Sequence, residues 1–229
     1  MAATPLAFAA ACTPTEPAVV GPARLRLSAR RPSRGTLTGT DVLYGESLNR
    51  AYIRVPPNYD PAIPTPLIVE FHGAVGRGDT MADAFGSRTD ALGAIVLAPN
   101  SIGATWDMLT GNTFEADVPF LNDVLDQTFD RCNIDASRIA LLGFSDGGSY
   151  AITLGISNGD QLAGVVAFSP GFYEIDHPLG APPYFVSHGT ADTVIPIDQS
   201  SRAIVPSLKL WRMAPNRRIC GADTSPTCG

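Results

Sequence analysis

The stretch RIALLGFSDGGSYAITLG, residues 138–155, joins an apolar run, a Gly-x-Ser-x-Gly pentapeptide and a run compatible with a helix. The apolar run predicts a buried strand, and the residues after the pentapeptide predict a helix. Glycines on both sides of the serine suit a very tight turn, where Cβ atoms would meet neighbouring backbone. The pattern predicts that Ser145 is held at a helix N-terminus as a nucleophile. The alternative is a plain strand-to-helix turn without chemistry.

Predicted strands and helices alternate on both sides of this stretch. Near-continuous apolar segments at 65–73 and 94–100 predict strands buried on both faces, and segment 115–133 carries apolar residues at helical spacing. Alternation of this kind predicts an α/β fold with a mostly parallel sheet flanked by helices. Ligands bind such sheets beyond the carboxyl ends of the strands, so the site is expected there.

The two ends of the chain differ in composition from its middle. Residues 1–40 are rich in Pro, Ala, Thr and Arg and predict a flexible N-terminal tail, whose first part resembles the remnant of an export signal. A secreted or cell-envelope location is therefore expected, with a cytoplasmic one as the alternative. The folded α/β domain is expected over 41–213, and an irregular tail over 214–229.

Charge and cysteine usage exclude several classes of function. The 229 residues include 16 Lys and Arg against 22 Asp and Glu, a net charge of −6, which argues against nucleic acid as a partner. No apolar run reaches the ~20 residues of a membrane span. No Cys-x-x-Cys or Cys/His cluster is present, so neither a metal site nor a cofactor is expected, and Cys132 is predicted to be a free core residue.

Two further segments carry groups that acyl transfer requires. The oxyanion needs two donors, and we expect them to be the backbone N–H of Asp146 and that of Ala74, which follows an earlier strand in FHGA. His72 in that segment is predicted to bond loop backbone rather than to act in catalysis. Asp192 follows another strand and suits the order serine, acid, histidine. Its alternative role is to cap a turn.

Aromatic residues in two loops beyond strand ends are candidates for substrate binding. Trp106 lies in the first loop, and Phe172 and Tyr173 lie in the second. They are expected to line an apolar pocket, with ordinary loop packing as the alternative. The segment after the nucleophile is short for a large lid, so access to this pocket is expected to be open.

Four motifs occur in a familiar order: EFHGAVG (70–76), LAPNS (97–101), GFSDGGSYA (143–151) and SHGTADTVIP (187–196). Over residues 48–209 the chain resembles the α/β-hydrolase superfamily, and within it the carboxylesterase and phospholipase-type branch near polyhydroxybutyrate-depolymerase-like and feruloyl-esterase-like proteins. The resemblance implies a serine carboxylic-ester hydrolase with no cofactor, and open access favours short-chain or aryl esters, or an accessible polyester, as its substrates. It implies a nucleophile elbow at Ser145, the acid at Asp192, and an oxyanion hole at Ala74 and Asp146.

The chain departs from that family in its histidines. The family places its base after the acid, whereas His72, His177 and His188 are the three histidines of this chain and all precede Asp192. One interpretation is a C-terminally incomplete fold, truncated or frame-shifted after about residue 209, without the final strand, the histidine loop and the closing helix. In the other, His177 is a substitute base, whereas His188 is structural. A catalytically impaired or non-enzymatic α/β-hydrolase fold is the alternative function.

Overall fold

The computed structural model describes residues 21–46, 48–210 and 215–220, which contain eight strands and five helices. A single 3₁₀ turn, Ile197–Gln199, precedes the last helix. The strands are β1 (Gly39–Tyr44), β2 (Arg50–Val55), β3 (Thr65–Phe71), β4 (Ile95–Pro99), β5 (Ile134–Phe144), β6 (Gly164–Phe168), β7 (Tyr184–Gly189) and β8 (Pro215–Cys220). The helices are α1 (Gly78–Ala91), α2 (Asp107–Gly111), α3 (Asp117–Arg131), α4 (Asp146–Asn158) and α5 (Ser201–Leu210).

All eight strands form one sheet in the order β1-β2-β4-β3-β5-β6-β7-β8. Strand β2 pairs antiparallel with β1 and β4, and every other pair is parallel. The central strands are nearly continuous apolar runs because helices cover both faces of a parallel sheet. The predicted α/β fold with a mostly parallel sheet is confirmed.

The two faces of the sheet carry different helices. In β4, Ile95 and Leu97 belong to a large core that also contains buried residues of α3, α4 and α5. Val96 and Ala98 alternate with them and pack on the other face against Met81 and neighbouring residues of α1. The parallel strands all end at one edge, where β3, β5 and β7 deliver the motifs named above.

The described part of the predicted N-terminal tail, from residue 21 onward, is packed rather than free. Leu25 is 2% exposed and belongs to the main core. Its N–H donates to Asn158 Oδ1 at 2.8 Å. Arginines of this segment pair with acids on the outer surface, in the ion pairs Arg24–Asp160, Arg26–Asp126 and Arg30–Asp130. The expectation of a flexible tail is wrong for residues 21–40, because the arginines that suggested low order pair with aspartates on α3 and after α4, and leucines of the segment lie in the core. Residues 1–20, with the proposed export remnant, lie outside the described residues.

Strand β8 overturns part of the prediction for the C-terminal segment. Residues Pro215–Cys220 pair in parallel with β7, from Tyr184↔Pro215 to Gly189↔Cys220. The expected irregular tail from residue 214 and the expected loss of a final strand are therefore wrong at these positions. Strand β8 is defined by its backbone pairing with β7. Its own short, polar sequence carries no pattern that predicts a strand. The remainder of the predicted tail lies outside the described residues.

Two expected features can be checked on the described residues. Cys132 is a free, fully buried cysteine, as predicted. No helix within 21–46, 48–210 and 215–220 is long and apolar enough to cross a membrane.

Candidate active site

Ser145 stands between β5 and α4 in a backbone conformation that ordinary residues avoid. Its φ is 55° and its ψ −120°, outside the regions that a residue with a Cβ populates readily. Its N–H donates to Phe168 O at 2.8 Å, which ties the turn to the end of the neighbouring strand β6. A conformation of this kind costs on the order of 1–3 kcal/mol and persists only where surrounding contacts enforce it.

Two glycines make the turn possible. A Cβ on Gly143 would lie 2.0 Å from Gly147 O, and a Cβ on Gly147 would lie 2.1 Å from Phe71 O. The first turn of α4 therefore packs directly on the backbone at the end of β3. This close approach sets Ser145 beside the loop that follows β3, as the pentapeptide predicts.

The two expected oxyanion donors flank Ser145. Gly73 lies so close that a Cβ added to it would be 3.2 Å from Ser145 Cβ, and Ala74 is the next residue of that loop. On the other side, Asp146 begins α4, so its N–H has no acceptor within the helix. Among the described residues, neither the Ala74 N–H nor the Asp146 N–H donates to a protein atom. Both remain available to an oxyanion.

His72 has the structural role that the sequence predicts. Its Nε2 accepts the N–H of Ser101 at 2.9 Å, so the proton is on Nδ1, which donates to Gly73 O at 2.7 Å. Burial lowers the pKa of His72, so the neutral ring is favoured. With both ring nitrogens occupied by backbone, the histidine fixes the loop after β3 and has no free nitrogen to serve as a base.

Asp192 lies in the loop after β7, at the same edge of the sheet. Its Oδ1 accepts the N–H groups of Val194 and Ile195, both at 2.9 Å. These bonds, that of Ile195 foremost, lower the pKa of Asp192, so the group is a carboxylate at neutral pH. The capping role weighed as its alternative is thus present; it occupies Oδ1, whereas Oδ2 lies 3.3 Å from His188 Nε2.

His188 is the histidine nearest to that acid. Its Nε2 is 3.3 Å from Asp192 Oδ2 and 2.7 Å from Ile195 O, and its Nδ1 bonds Ser201 Oγ at 2.8 Å. The side chain is buried beneath the loop. Its two short bonds make it a brace for the acid loop, consistent with the structural role predicted for it.

His177, the substitute base considered above, lies near the C-terminal end of α4, away from Ser145. Its Nδ1 bonds Asp176 Oδ1 at 2.6 Å, and Asp176 O accepts the hydroxyl of Ser157. Ser157 is near the C-terminus of α4, about 18 Å along the helix from Ser145 at 1.5 Å per residue. The structure does not bring His177 to the nucleophile, because the loop after β6 runs down the helix before it reaches this residue.

The three aromatic residues predicted to bind substrate have different environments. Trp106 is 0% exposed, stacks on Tyr150 and donates its Nε1–H to His72 O at 2.9 Å, so it is a core residue and not a pocket wall. The Tyr173 hydroxyl bonds Ser207 Oγ on α5. Phe172 is 41% exposed, and its N–H faces Ser149 Oγ on the first turn of α4. Of the three, Phe172 is therefore the one available to a substrate near Ser145.

Two site residues were missed by sequence reasoning. Thr105 donates its hydroxyl to Asp146 Oδ2 at 2.7 Å. Asp117 is fully buried and accepts two backbone N–H groups of the loop that carries Thr105. Only an acid at the start of an amphipathic helix was visible in the sequence, which is a common helix-start signal.

Metal chemistry finds no support among the side chains. Within residues 21–46, 48–210 and 215–220, no group of three His, Cys, Asp or Glu side chains is arranged to hold a metal ion.

Comparisons with known proteins converge on esterases. A model of the phospholipase/carboxylesterase family matches residues 107–214. The putative esterase NocK of Nocardia uniformis subsp. tsuyamanensis is 27% identical over 234 residues, covering 97% of this chain and 68% of that protein. Feruloyl esterase C of Emericella nidulans is 33% identical over 159 residues, covering 65% of this chain and 57% of that protein.

Solved structures agree on the architecture. A thermostable esterase superposes with a TM-score of 0.62 at 21% identity, over 81% of this chain and 54% of that one. A ferulic acid esterase from Anaeromyces mucronatus, crystallised without substrate, gives 0.62 at 16% identity, over 87% and 91%. The chain thus spans little more than half of two of its relatives. The chain has the α/β-hydrolase fold, and several of the proteins that share it are esterases.

Proposed function

We propose that the chain is a serine carboxylic-ester hydrolase that forms an acyl-enzyme on Ser145. The observation that carries the proposal is the strained turn at Ser145, which lies between two backbone N–H groups without protein acceptors. Similarity to esterases over most of the chain supports the same class of reaction.

The chemistry follows from the positions of these groups. Ser145 Oγ attacks the ester carbonyl, and the negative charge on the carbonyl oxygen is stabilised by the N–H groups of Ala74 and Asp146. The alcohol leaves with a proton, and water then attacks the acyl-enzyme and releases the acid. Because Oγ must lose its proton as it attacks, a base beside it is required.

Asp192 is the proposed partner of that base. Strands β5 and β7 are two positions apart in the sheet, about 10 Å at ~4.8 Å per strand, so that one imidazole with hydrogen bonds of ~3 Å on each side fits between Ser145 and Asp192. Asp192 would orient such a ring and stabilise its cation. His72, His177 and His188 are all engaged elsewhere, which supports the alternative function, a catalytically impaired hydrolase fold.

Free imidazole separates these two functions. We expect a fluorophosphonate probe to label the chain at Ser145, and p-nitrophenyl acetate turnover to rise with imidazole concentration. Imidazole also cleaves this ester in solution, so the matched control is Ser145→Ala at the same imidazole concentrations. The enzyme is supported if the excess over that control is saturable and is reduced in Asp192→Asn. Turnover that survives Ser145→Ala contradicts the mechanism.

A second variant tests the substitute base. His177→Ala is expected to leave both the labelling rate and the turnover unchanged, because the ring lies at the far end of α4. If neither labelling nor imidazole-dependent turnover is measurable in the folded wild-type chain, the non-enzymatic alternative is the correct one.

For the substrate, we propose a short-chain or aryl ester, or an accessible polyester. Exposed Phe172 beside the first turn of α4 supports an apolar contact for the acyl or aryl group. Phe172→Ala should raise KM for esters that carry an aromatic group more than for acetates of aliphatic alcohols, with kcat changed little. Equal effects on both ester classes would remove Phe172 from the proposed binding surface.

A further inference from the structure

The two proposed oxyanion donors come from a loop and a helix, and the pairing of strands in the sheet does not by itself fix the position of one relative to the other. Ala74 lies three residues beyond β3, in a loop whose next residue, Val75, has a φ of 50° and is 83% exposed. Asp146 opens α4 on the far side of Ser145. Since an oxyanion hole works only if its donors are already aimed at one point, something must fix the loop relative to the helix.

One loop bonds to both elements. It lies between β4 and α2, residues 100–106, and we call it the bridging loop. Its Ala104 O accepts the Val75 N–H at 2.8 Å, and its Thr105 hydroxyl donates to Asp146 Oδ2 at 2.7 Å. The two contacts come from adjacent residues, whose Cα atoms are about 3.8 Å apart. The two donor elements are thus joined through a single peptide unit.

The bridging loop is itself anchored on buried groups. Asp117, at the start of α3, accepts the Ile102 N–H on Oδ1 at 2.8 Å and the Asp107 N–H on Oδ2 at 2.7 Å. Ser101 at the other end donates to His72. Because these acceptors are buried, moving the loop would leave polar groups without partners, which is unfavourable. The loop can therefore serve as a fixed reference for both donors.

We propose that Thr105 is a positioning residue for the oxyanion hole and that it acts through the Asp146 carboxylate. The inference rests on the proposed esterase function. Thr105 does not touch the reacting atoms. Its hydroxyl holds the first residue of α4 against the bridging loop, so that the Asp146 N–H and the Ala74 N–H converge on the same oxygen as charge develops on it.

The test compares Thr105→Val, Thr105→Ser and Thr110→Val. Valine keeps the shape of threonine and removes the donor, serine keeps the donor, and Thr110 lies exposed on the adjacent α2 as a matched control. In ester hydrolysis supplemented with imidazole, Thr105→Val should lower kcat about 10- to 100-fold with KM within about twofold, since a donor misplaced by up to 1 Å weakens transition-state binding. Thr105→Ser should recover most of the rate, and Thr110→Val should match wild type.

A second measurement does not depend on catalysis. Amide hydrogen exchange of Val75 should speed up at least about tenfold in Thr105→Val and stay unchanged in Thr110→Val. The reason is that Ala104 accepts the Val75 N–H, and the position of Ala104 is no longer fixed when the adjacent Thr105 loses its bond to Asp146. A kcat for Thr105→Val within twofold of Thr110→Val overturns the inference, as does unchanged exchange at Val75. If the wild-type chain shows no turnover and no labelling, the proposed function fails, and the exchange data alone decide whether Thr105 couples the two elements.

Discussion

The close approach of the first turn of α4 to the end of β3 makes Gly147→Ala a demanding test of this site. The added Cβ would lie 2.1 Å from Phe71 O and 2.5 Å from His72 O, whereas such atoms are essentially never closer than 3.0 Å. The first turn of α4 and the end of β3 must therefore separate by about 0.9 Å. Both contacts are with main-chain oxygens, so no side-chain rotation can relieve them.

The magnitude follows from that separation. Overpacking a well-packed interior costs typically ~1–3 kcal/mol, and a clash with two backbone oxygens belongs at the upper end, so we expect a loss of about 3 kcal/mol or more. A graded series calibrates it. A Cβ on Gly148 would meet Phe168 O at 3.0 Å and should cost less, whereas Gly35 has nothing within 4 Å and its alanine variant should stay within about 0.5 kcal/mol of wild type.

Urea unfolding followed by far-ultraviolet circular dichroism gives the free energies for the series. Where Gly147→Ala folds, its labelling by a fluorophosphonate should also slow relative to Gly35→Ala, because a shift of about 1 Å displaces Asp146 from Ala74. An unfolding free energy for Gly147→Ala equal to that of Gly35→Ala would refute the packing argument. It would mean that α4 can move off β3 at no cost and that the close approach does not set the turn.

Two further predictions concern groups outside the turn. Glu70 is fully buried with no hydrogen-bond partner among the described residues, and burial raises its pKa from 4.5 to about 8. The folded state thus holds the proton more tightly, so the stability of the wild type should fall as pH rises from about 4.5 to about 8. Between pH 5 and pH 8.5, the unfolding free energy of Glu70→Gln should therefore rise relative to that of the wild type by several kcal/mol, on the order of 4. A difference between the two proteins that does not change with pH in urea unfolding would contradict this. Leu25→Ala should cost about 2–4 kcal/mol if residues 21–40 are part of the core, and less than about 0.5 kcal/mol if they form a free tail.

Local geometry explains which parts of the site could be predicted from the sequence. The turn at Ser145 is dictated by glycines adjacent to it, and Asp192 directly follows a strand, so both could be predicted from short segments. Trp106 was misjudged because its burial comes from Phe71 and Tyr150, which are distant in the sequence. Thr105 was missed for the same reason, since its partner lies 41 positions away.

Composition was a poor guide at both ends of the described chain. Arginines at residues 24, 26 and 30 suggested low order, yet each meets an aspartate that follows or lies on a helix. In β8 the strand is set by the register of β7 and not by alternation of its own residues. Long-range pairing of this kind leaves no local pattern, so prediction from a single sequence fails where a neighbour determines the conformation.

The sequence favours His177 over His188 as a substitute base, but the structure places His188 closer to that role. His177 would need to cross the length of α4, whereas His188 already lies 3.3 Å from Asp192 Oδ2. To reach Ser145, His188 must give up its bonds to Ile195 O and Ser201 Oγ, each worth about 1 kcal/mol net, and leave buried polar atoms without partners at about 1–3 kcal/mol. A total of roughly 3–5 kcal/mol limits the competent population to less than about one chain in a hundred. The rate without added imidazole should therefore stay below about one hundredth of the rate at saturating imidazole, and a larger basal rate would mean that a base other than these three histidines reaches Ser145.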